Sequence, residues 1–344
     1  MTSKRKTLLI YTGGTIGMVK DYKSNALKAF DFSQILENIP ELNQLECDIE
    51  TVSFENPIDS SNMNTGYYIQ IAEIIESNYE NFDGFVVLTG SDTMSYTSSA
   101  ISFMLEHLKK PVIFTGSQLP IGYLRTDAKE NLITSIEIAS AYKDGKPIIS
   151  EVCLYFEYKL YRANRTTKLS AEQFEAFSSM NYPPLAESGV HLHFNTNLLV
   201  ESESDLDLVV RKNLCSDIVI LKLFPGIRLN VIESILNIPH LKGVVLETYG
   251  AGNAPNDKKF IRLLFDAIQK GIHIVNVTQC VGGSVLPGHY ETSSQLKEIG
   301  IIDAKDMTTE SAIAKLMYLL GVGLKKEEFI SYFEQSLRGE ITNK

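Results

Sequence analysis

Three apolar runs in the first third of the chain end in Thr-Gly and break at once into a hydroxyl-rich turn: TLLIYTGGTIG at 7–17, FVVLTGSDTMS at 85–95 and PVIFTGSQLP at 111–120. Short runs of Val, Ile, Leu and Phe without polar alternation fit strands buried on both faces, and so a parallel sheet covered by helices. Ligands of such sheets bind just beyond the carboxyl ends of the strands. Glycines at the turns, Gly13, Gly14 and Gly90, let backbone amides approach a ligand closely. The recurrence therefore gathers Thr15, Ser91, Asp92 and Thr93 at one sheet edge.

Strand-like runs at 8–11, 49–54, 85–89, 112–115 and 152–156 alternate with helical patterns, the rhythm of a doubly wound α/β sheet. One helix places Tyr96, Ala100, Met104 and Leu108 on an apolar face, with Ile101 and Leu105 beside them. A second opens with Asp127 and Glu130 in capping-box spacing and carries Leu132, Ile133, Ile136 and Ala139 along one side. The acidic stretch ESESDLD at 201–207 lies in a weakly patterned segment that reads as a connection. A smaller α/β unit follows, with strands at 218–223, 244–246 and 272–277, helices near 231–236 and 260–268, and a last strong helix from Thr309. The expected organisation is an N-terminal catalytic α/β domain over 1–190 with a mostly parallel sheet, a linker over 191–214, and a C-terminal α/β domain over 215–344.

The length of 344 residues suffices for two cores of ordinary size. A net charge of -10, with one dense basic run at Lys4–Lys6, argues against a nucleic-acid surface. Cys47, Cys153, Cys215 and Cys280 are far apart, with neither zinc-knuckle nor disulfide-framework spacing. His191 and His193 alternate as on a strand, with no acidic cluster in ligand spacing nearby, so no metal is expected. The apolar run after Lys6 is too short for a signal-peptide core and no later run approaches membrane-spanning length, so cytoplasmic residence is expected, without a membrane partner.

A threonine hydroxyl is a poor nucleophile until a base or proton relay acts on it. The segment YRANRTTKLS at 161–170 offers an amine, Lys168, beyond the fifth strand-like run. Beside Ser91 and Asp92 it would complete a hydroxyl, amine and carboxylate group by the logic of a catalytic triad. The helix after Ser91 adds its positive end and free amides for an anionic substrate group.

YTGGTIGM, DGFVVLTGSDTMSYT, KPVIFTGSQLP, LYRANRTTK, TYGAGNAP and VNVTQC, in that order over nearly the whole chain, resemble the bacterial cytoplasmic (type I) L-asparaginases. The resemblance implies a cofactor-free amidohydrolase that converts L-asparagine to L-aspartate and ammonia through a β-aspartyl enzyme. It implies Thr15 as nucleophile and Ser91, Asp92 and Lys168 as the second catalytic group, with Ser91 where the family commonly has threonine. Ser60 and Ser61, in PIDSSNM, match a substrate-binding turn that holds the α-carboxylate next to Gly90, and Asp92 would also take the α-amino group. A tyrosine that assists the nucleophile is expected, and register puts Asn25 at its usual loop position, leaving Tyr22 and Tyr290 as alternatives. Asn253 is expected to face a neighbouring subunit's site, in a homodimer or homotetramer. Some members also bind regulatory asparagine, and Thr167, Glu247, Asn253 and Cys280 match that region. Glu247 stands where the regulated pattern has arginine, and its charge would repel a substrate carboxylate.

Each of these residues also has a plainer reading. Asp92 before a helix is by default an N-cap, Ser60 and Ser61 polar turn residues, and Lys168 a solvated charge. Cys280 is by default a buried core thiol. Rival functions are an amidotransferase subunit with the same catalytic fold, a phosphate-binding module and a non-catalytic asparagine sensor. Neither G-x-G-x-x-G nor G-x-x-x-x-G-K-[ST] occurs in the turns.

Overall fold

The computed structural model describes residues 4–20, 27–29, 39–200, 205–286 and 291–342. It divides into two compact units, 1–179 with 183–212, and 180–182 with 213–344.

The first unit is built on an eight-stranded sheet. In chain order its strands are β1 (Arg5–Gly13), β2 (Cys47–Ile58), β3 (Gly84–Leu88), β4 (Val112–Thr115), β5 (Val152–Phe156), β6 (Lys159–Arg162), β7 (Ala186–Ser188) and β8 (Leu192–Phe194). They lie in the order β8-β7-β6-β5-β4-β3-β1-β2. The five strands from β2 to β5 run parallel, and β6, β7 and β8 extend the sheet antiparallel. Every residue of β3, β4 and β5 is buried, as strands covered on both faces must be. β2 is the edge strand, and its exposed Asp48, Glu50 and Glu55 discourage pairing with another chain. Helices α1 (Thr65–Asn78), α2 (Met94–Met104) and α3 (Ala128–Ala139) fill the crossovers after β2, β3 and β4.

Strand order reverses between β1 and β3: β1 is followed in sequence by β2 on one side, while β3 starts the walk to the other. The crevice beyond the ends of β1 and β3 is therefore the topological switch point, where open α/β sheets place ligands.

Two sequence expectations change here. The segment 191–214 is expected to be a linker, yet β8 pairs with β7 and Val209–Val210 pairs with Leu105–Glu106, so the first unit extends to Lys212. The strands are too short to print a pattern. Asp127 does not close a capping box on α3: its carboxylate accepts from the backbone N–H groups of Gln118 (2.8 Å) and Leu119 (3.0 Å) instead. Thr126 takes over, accepting from Ala128 N–H at 3.0 Å.

The second unit carries a four-stranded parallel sheet, β9 (Ile218–Lys222), β10 (Gly243–Thr248), β11 (His273–Thr278) and β12 (Ile302–Asp303), in chain order. Its helices are α4 (Leu229–Leu236), α5 (Lys258–Gln269), α6 (Glu291–Glu298), α7 (Thr309–Val322) and α8 (Lys326–Glu334). One core joins Leu221, Val244, Leu246 and Ile274 of the sheet to Ile232, Leu236, Phe260 and Leu264 of α4 and α5. Among the described residues no helix is long and apolar enough to cross a membrane.

Candidate active site

The end of β1 turns through two glycines because no other residue fits. Gly13 has φ 132° and Gly14 φ 87°. A Cβ on Gly13 would lie 2.5 Å from the Ile58 nitrogen, and one on Gly14 2.5 Å from the Gly90 Cα. The turn is tied to β2 by Gly14 N–H donating to Ile58 O at 3.1 Å. Thr15 opens the following single helical turn, Thr15–Gly17, half-buried, with Ile16 and Gly17 buried beneath it. The Tyr11 ring packs directly against Gly17, and burial pushes its hydroxyl up to about 12.

Gly90 is packed between the turns after β1 and β2. Gly14 touches it on one side, and on the other a Cβ would lie 2.7 Å from the Ser60 Cβ. Ser60 is buried at the end of β2, where the Asp59 carboxylate accepts from Ser61 N–H at 2.9 Å and shapes the turn. Thr93 Oγ1 donates to Ser60 O at 2.8 Å, which fastens the turn after β3 to the turn after β2. Ser61 is exposed.

Lys168 Nζ donates to Ser91 Oγ and to Asp92 Oδ1, each at 2.8 Å. Its side chain is 16% exposed, that of Asp92 71%. Asp92 is thus a partner of Lys168, and the N-cap of α2 falls one residue later, at Thr93. The plainer reading of Lys168 as a solvated charge does not describe this geometry.

The segment that carries Lys168 is held by a feature the sequence reading does not single out. Ser95, Ser99 and Ser102 recur at i, i+4 and i+7 on α2, and all three are buried. Ser99 Oγ donates to Ala163 O (3.5 Å), Thr166 Oγ1 donates to Ser95 Oγ (3.1 Å) and Asn164 Nδ2 to Ser102 Oγ (3.2 Å). Helical spacing of hydroxyls marks a face that binds backbone or polar chain, and here it binds RANRTT. From that anchor Thr167–Lys168 pairs antiparallel with Phe177–Ser178.

Tyr22, Asn25 and Tyr290 lie outside the described residues. In the second unit Glu247 is buried on β10, where its carboxylate accepts from Thr309 Oγ1 at 2.8 Å and pairs with Lys222 Nζ at 3.0 Å. Asn253 closes the TYGAGN turn by exchanging two backbone hydrogen bonds with Tyr249, both 2.8 Å. Cys280 is exposed, not the core thiol its type suggests, because its N–H is held by Thr278 Oγ1 in the turn after β11. Thr167 is half-buried beside Lys168 in the first unit. His191 and His193 flank and occupy the edge strand β8, both exposed, and among the described residues no group of three or more His, Cys, Asp or Glu could hold a metal ion.

The same arrangement of elements occurs in known proteins. The asparaginase N-terminal domain model matches residues 6–200, and the glutaminase/asparaginase C-terminal domain model matches residues 217–333. L-asparaginase 1 of Escherichia coli (strain K12) is 41% identical over 98% of this chain and 98% of its own length. The crystal structure of L-asparaginase I from Vibrio cholerae superimposes with a TM-score of 0.90 at 38% identity, covering 99% of this chain and 100% of that one. The thermostable L-asparaginase from Thermococcus kodakarensis gives a TM-score of 0.89 at 30% identity, over 98% and 100%. With both domains matched in order and relatives aligned end to end, this chain belongs to the asparaginase family.

Proposed function

We propose that the chain hydrolyses L-asparagine to L-aspartate and ammonia, with Thr15 as nucleophile. The single observation that supports the site assignment best is Lys168 Nζ at 2.8 Å from both Ser91 Oγ and Asp92 Oδ1. An amine, a hydroxyl and a carboxylate from distant stretches converge there at the switch-point crevice.

In this reading Thr15 Oγ attacks the side-chain amide carbon. The C–N bond breaks, the nitrogen leaves as ammonia carrying the hydroxyl proton, and a β-aspartyl ester remains on Thr15. Water hydrogen-bonded to Ser91 Oγ then attacks the ester carbon and gives its proton to the Lys168 amine; the acyl–Oγ1 bond breaks, Thr15 Oγ1 regains the proton, and aspartate departs. Asp92 takes the substrate α-ammonium, while Ser60, Ser61 and the Gly90 backbone receive the α-carboxylate. The N-terminus of α2 favours that negative charge. Tyr290 or Tyr22 assists Thr15.

The enzyme works in the cytoplasm and self-associates as a dimer or tetramer, with Asn253 turned to a neighbouring subunit's site. Glu247 does not take part in an asparagine-activated switch, because its carboxylate is already committed to Lys222 and Thr309. A hyperbolic rate curve in asparagine is the expected kinetic form.

Purified protein should release ammonia from millimolar asparagine. Thr15→Val should lower kcat by about 10³-fold or more, the scale of losing a nucleophile, with little change in thermal midpoint. Substantial activity in a folded Thr15→Val variant would place the nucleophile elsewhere. Sedimentation of the native protein at monomer mass would end the self-association claim.

A further inference from the structure

The Ser91 hydroxyl has a second partner besides Lys168. Its Oγ donates to Gln118 Oε1 at 3.2 Å, while Gln118 Nε2 donates to the Gln173 carbonyl at 2.9 Å. That second bond fixes which end of the amide faces Ser91, since only a nitrogen can serve the carbonyl. Gln118 is also held by its own backbone, whose N–H is bound to Asp127 Oδ2 at 2.8 Å. Asp127 is in turn steadied by Asn131 Nδ2 at 3.3 Å. The Gln173 carbonyl belongs to a loop closed on itself, with Gln173 N–H on Ser170 Oγ at 2.9 Å and Leu169 N–H on Ala176 O at 2.7 Å. The acceptor offered to Ser91 is thus pinned on three sides.

A serine has one substituent on Cβ, so its χ1 is not restricted by branching as a threonine's is. An unclamped Ser91 hydroxyl would sample rotamers in which Lys168 faces no lone pair. With its proton directed into Gln118 Oε1, its lone pairs face the Lys168 amine instead.

We propose that Gln118 is a positioning residue for the water step, an amide clamp that sets the rotamer and proton direction of Ser91 relative to Lys168. This rests on the proposed asparaginase reading. The clamp acts only through Ser91, and it is needed because position 91 is serine.

Gln118→Met keeps the side-chain length and removes both amide bonds. It should lower kcat about 10- to 30-fold, the scale of one or two hydrogen bonds, and change KM less than about twofold. Since ester hydrolysis is the step it slows, rapid mixing should reveal a burst of about one ammonia per site before the slow steady state. The deciding comparison is with Ser91→Thr. Branching at Cβ restricts the hydroxyl without help, so Gln118→Met in that background should cost less than about threefold. Equal penalties in the two backgrounds, or no penalty in either, would overturn the clamp. A wild-type protein that releases no ammonia would instead remove the underlying reading. Gln118→Leu also removes both amide bonds with a different apolar shape, and carries the same comparison if the methionine variant does not fold.

Discussion

Gly90 and Ser60 meet so closely that a methyl group on Gly90 would lie 2.7 Å from the Ser60 Cβ. Neither can yield easily, because Ser60 is buried and its carbonyl is held by Thr93 Oγ1, and Gly90 has Gly14 packed on its other side. Gly90→Ala should therefore widen the crevice between the ends of β1, β2 and β3. The overpacking should cost about 1–3 kcal/mol in chemical unfolding. Displacement of the proposed nucleophile from the carboxylate-binding turn should lower kcat/KM by about 100-fold or more. Asparagine kinetics beside a urea unfolding curve measure both; an alanine variant with native kcat/KM would mean that this contact does not set the site.

Lys168 separates function from stability. Its ion pair is made to a carboxylate that is 71% exposed, and such pairs contribute about 0–1 kcal/mol. Lys168→Met keeps the aliphatic stem that packs behind the charge. The thermal midpoint should move by only a few degrees. Turnover should fall by about 10²–10⁴-fold if the amine relays the proton for the water step. Calorimetry and ammonia release on one preparation make the comparison, and a variant that loses stability and activity in proportion would make Lys168 structural.

Lys315 and Glu340 form the opposite kind of pair, both side chains fully buried in the second unit. Lys315 Nζ on α7 donates to Glu340 Oε1 and to the carbonyls of Phe333 and Gln335, at 2.5, 2.7 and 2.5 Å. The Glu340 carboxylate also accepts from the N–H groups of Leu337 and Arg338. This knot fastens the chain after α8, together with Asp306, whose carboxylate accepts from Thr342 N–H at 3.0 Å. Glu340→Leu should cost about 3–5 kcal/mol, because it strands a buried ammonium. Adding Lys315→Met should recover part of the loss, since no charge is then stranded while the N–H groups of Leu337 and Arg338 still lack their carboxylate acceptor. Unfolding midpoints of the two single variants and the double decide it; a double variant as weak as their sum would show that packing volume, not charge, dominates.

The parallel heart of each unit is legible in the sequence because its strands are unbroken apolar runs: 112–115 and 152–156 match the observed strands end to end. The antiparallel extension is not legible. Lys159–Arg162, Ala186–Ser188 and Leu192–Phe194 are too short and too polar to show a period, and they exist because β5 offers them an edge. Within the site, the Thr-Gly turns and the RANRTTK segment carry enough pattern to name Ser91, Asp92 and Lys168, which the structure brings within hydrogen-bonding distance. Gln118 carries no such pattern, since its place depends on the backbone carbonyl of Gln173, 55 residues away. The buried serines 95, 99 and 102 do have a signal, a hydroxyl stripe at helical spacing hidden among apolar residues that draw the eye first.

Glu157 gives the fold a pH dependence. It occupies the tight turn between β5 and β6, where Glu157 and Tyr158 both take positive φ, 43° and 68°, and its N–H is caught by Asn131 Oδ1 at 3.0 Å. Its carboxyl is pushed up to about 7, first by burial and then by the neighbouring charges of Asp127, Glu130 and Glu175. In the unfolded chain the group ionises near its ordinary value of 4.5, while the folded protein keeps it protonated until about pH 7. Between those values the folded state holds the extra proton, so the stability that Glu157 contributes is full below 4.5 and is lost as pH rises to 7. Glu157→Gln should flatten that slope without altering the turn, because the amide stays neutral at every pH. Urea midpoints of wild type and variant across that range test the assignment. Parallel curves would place the proton on another group, and a variant that loses stability only as the solution becomes more acidic would reverse the sign argued for Glu157.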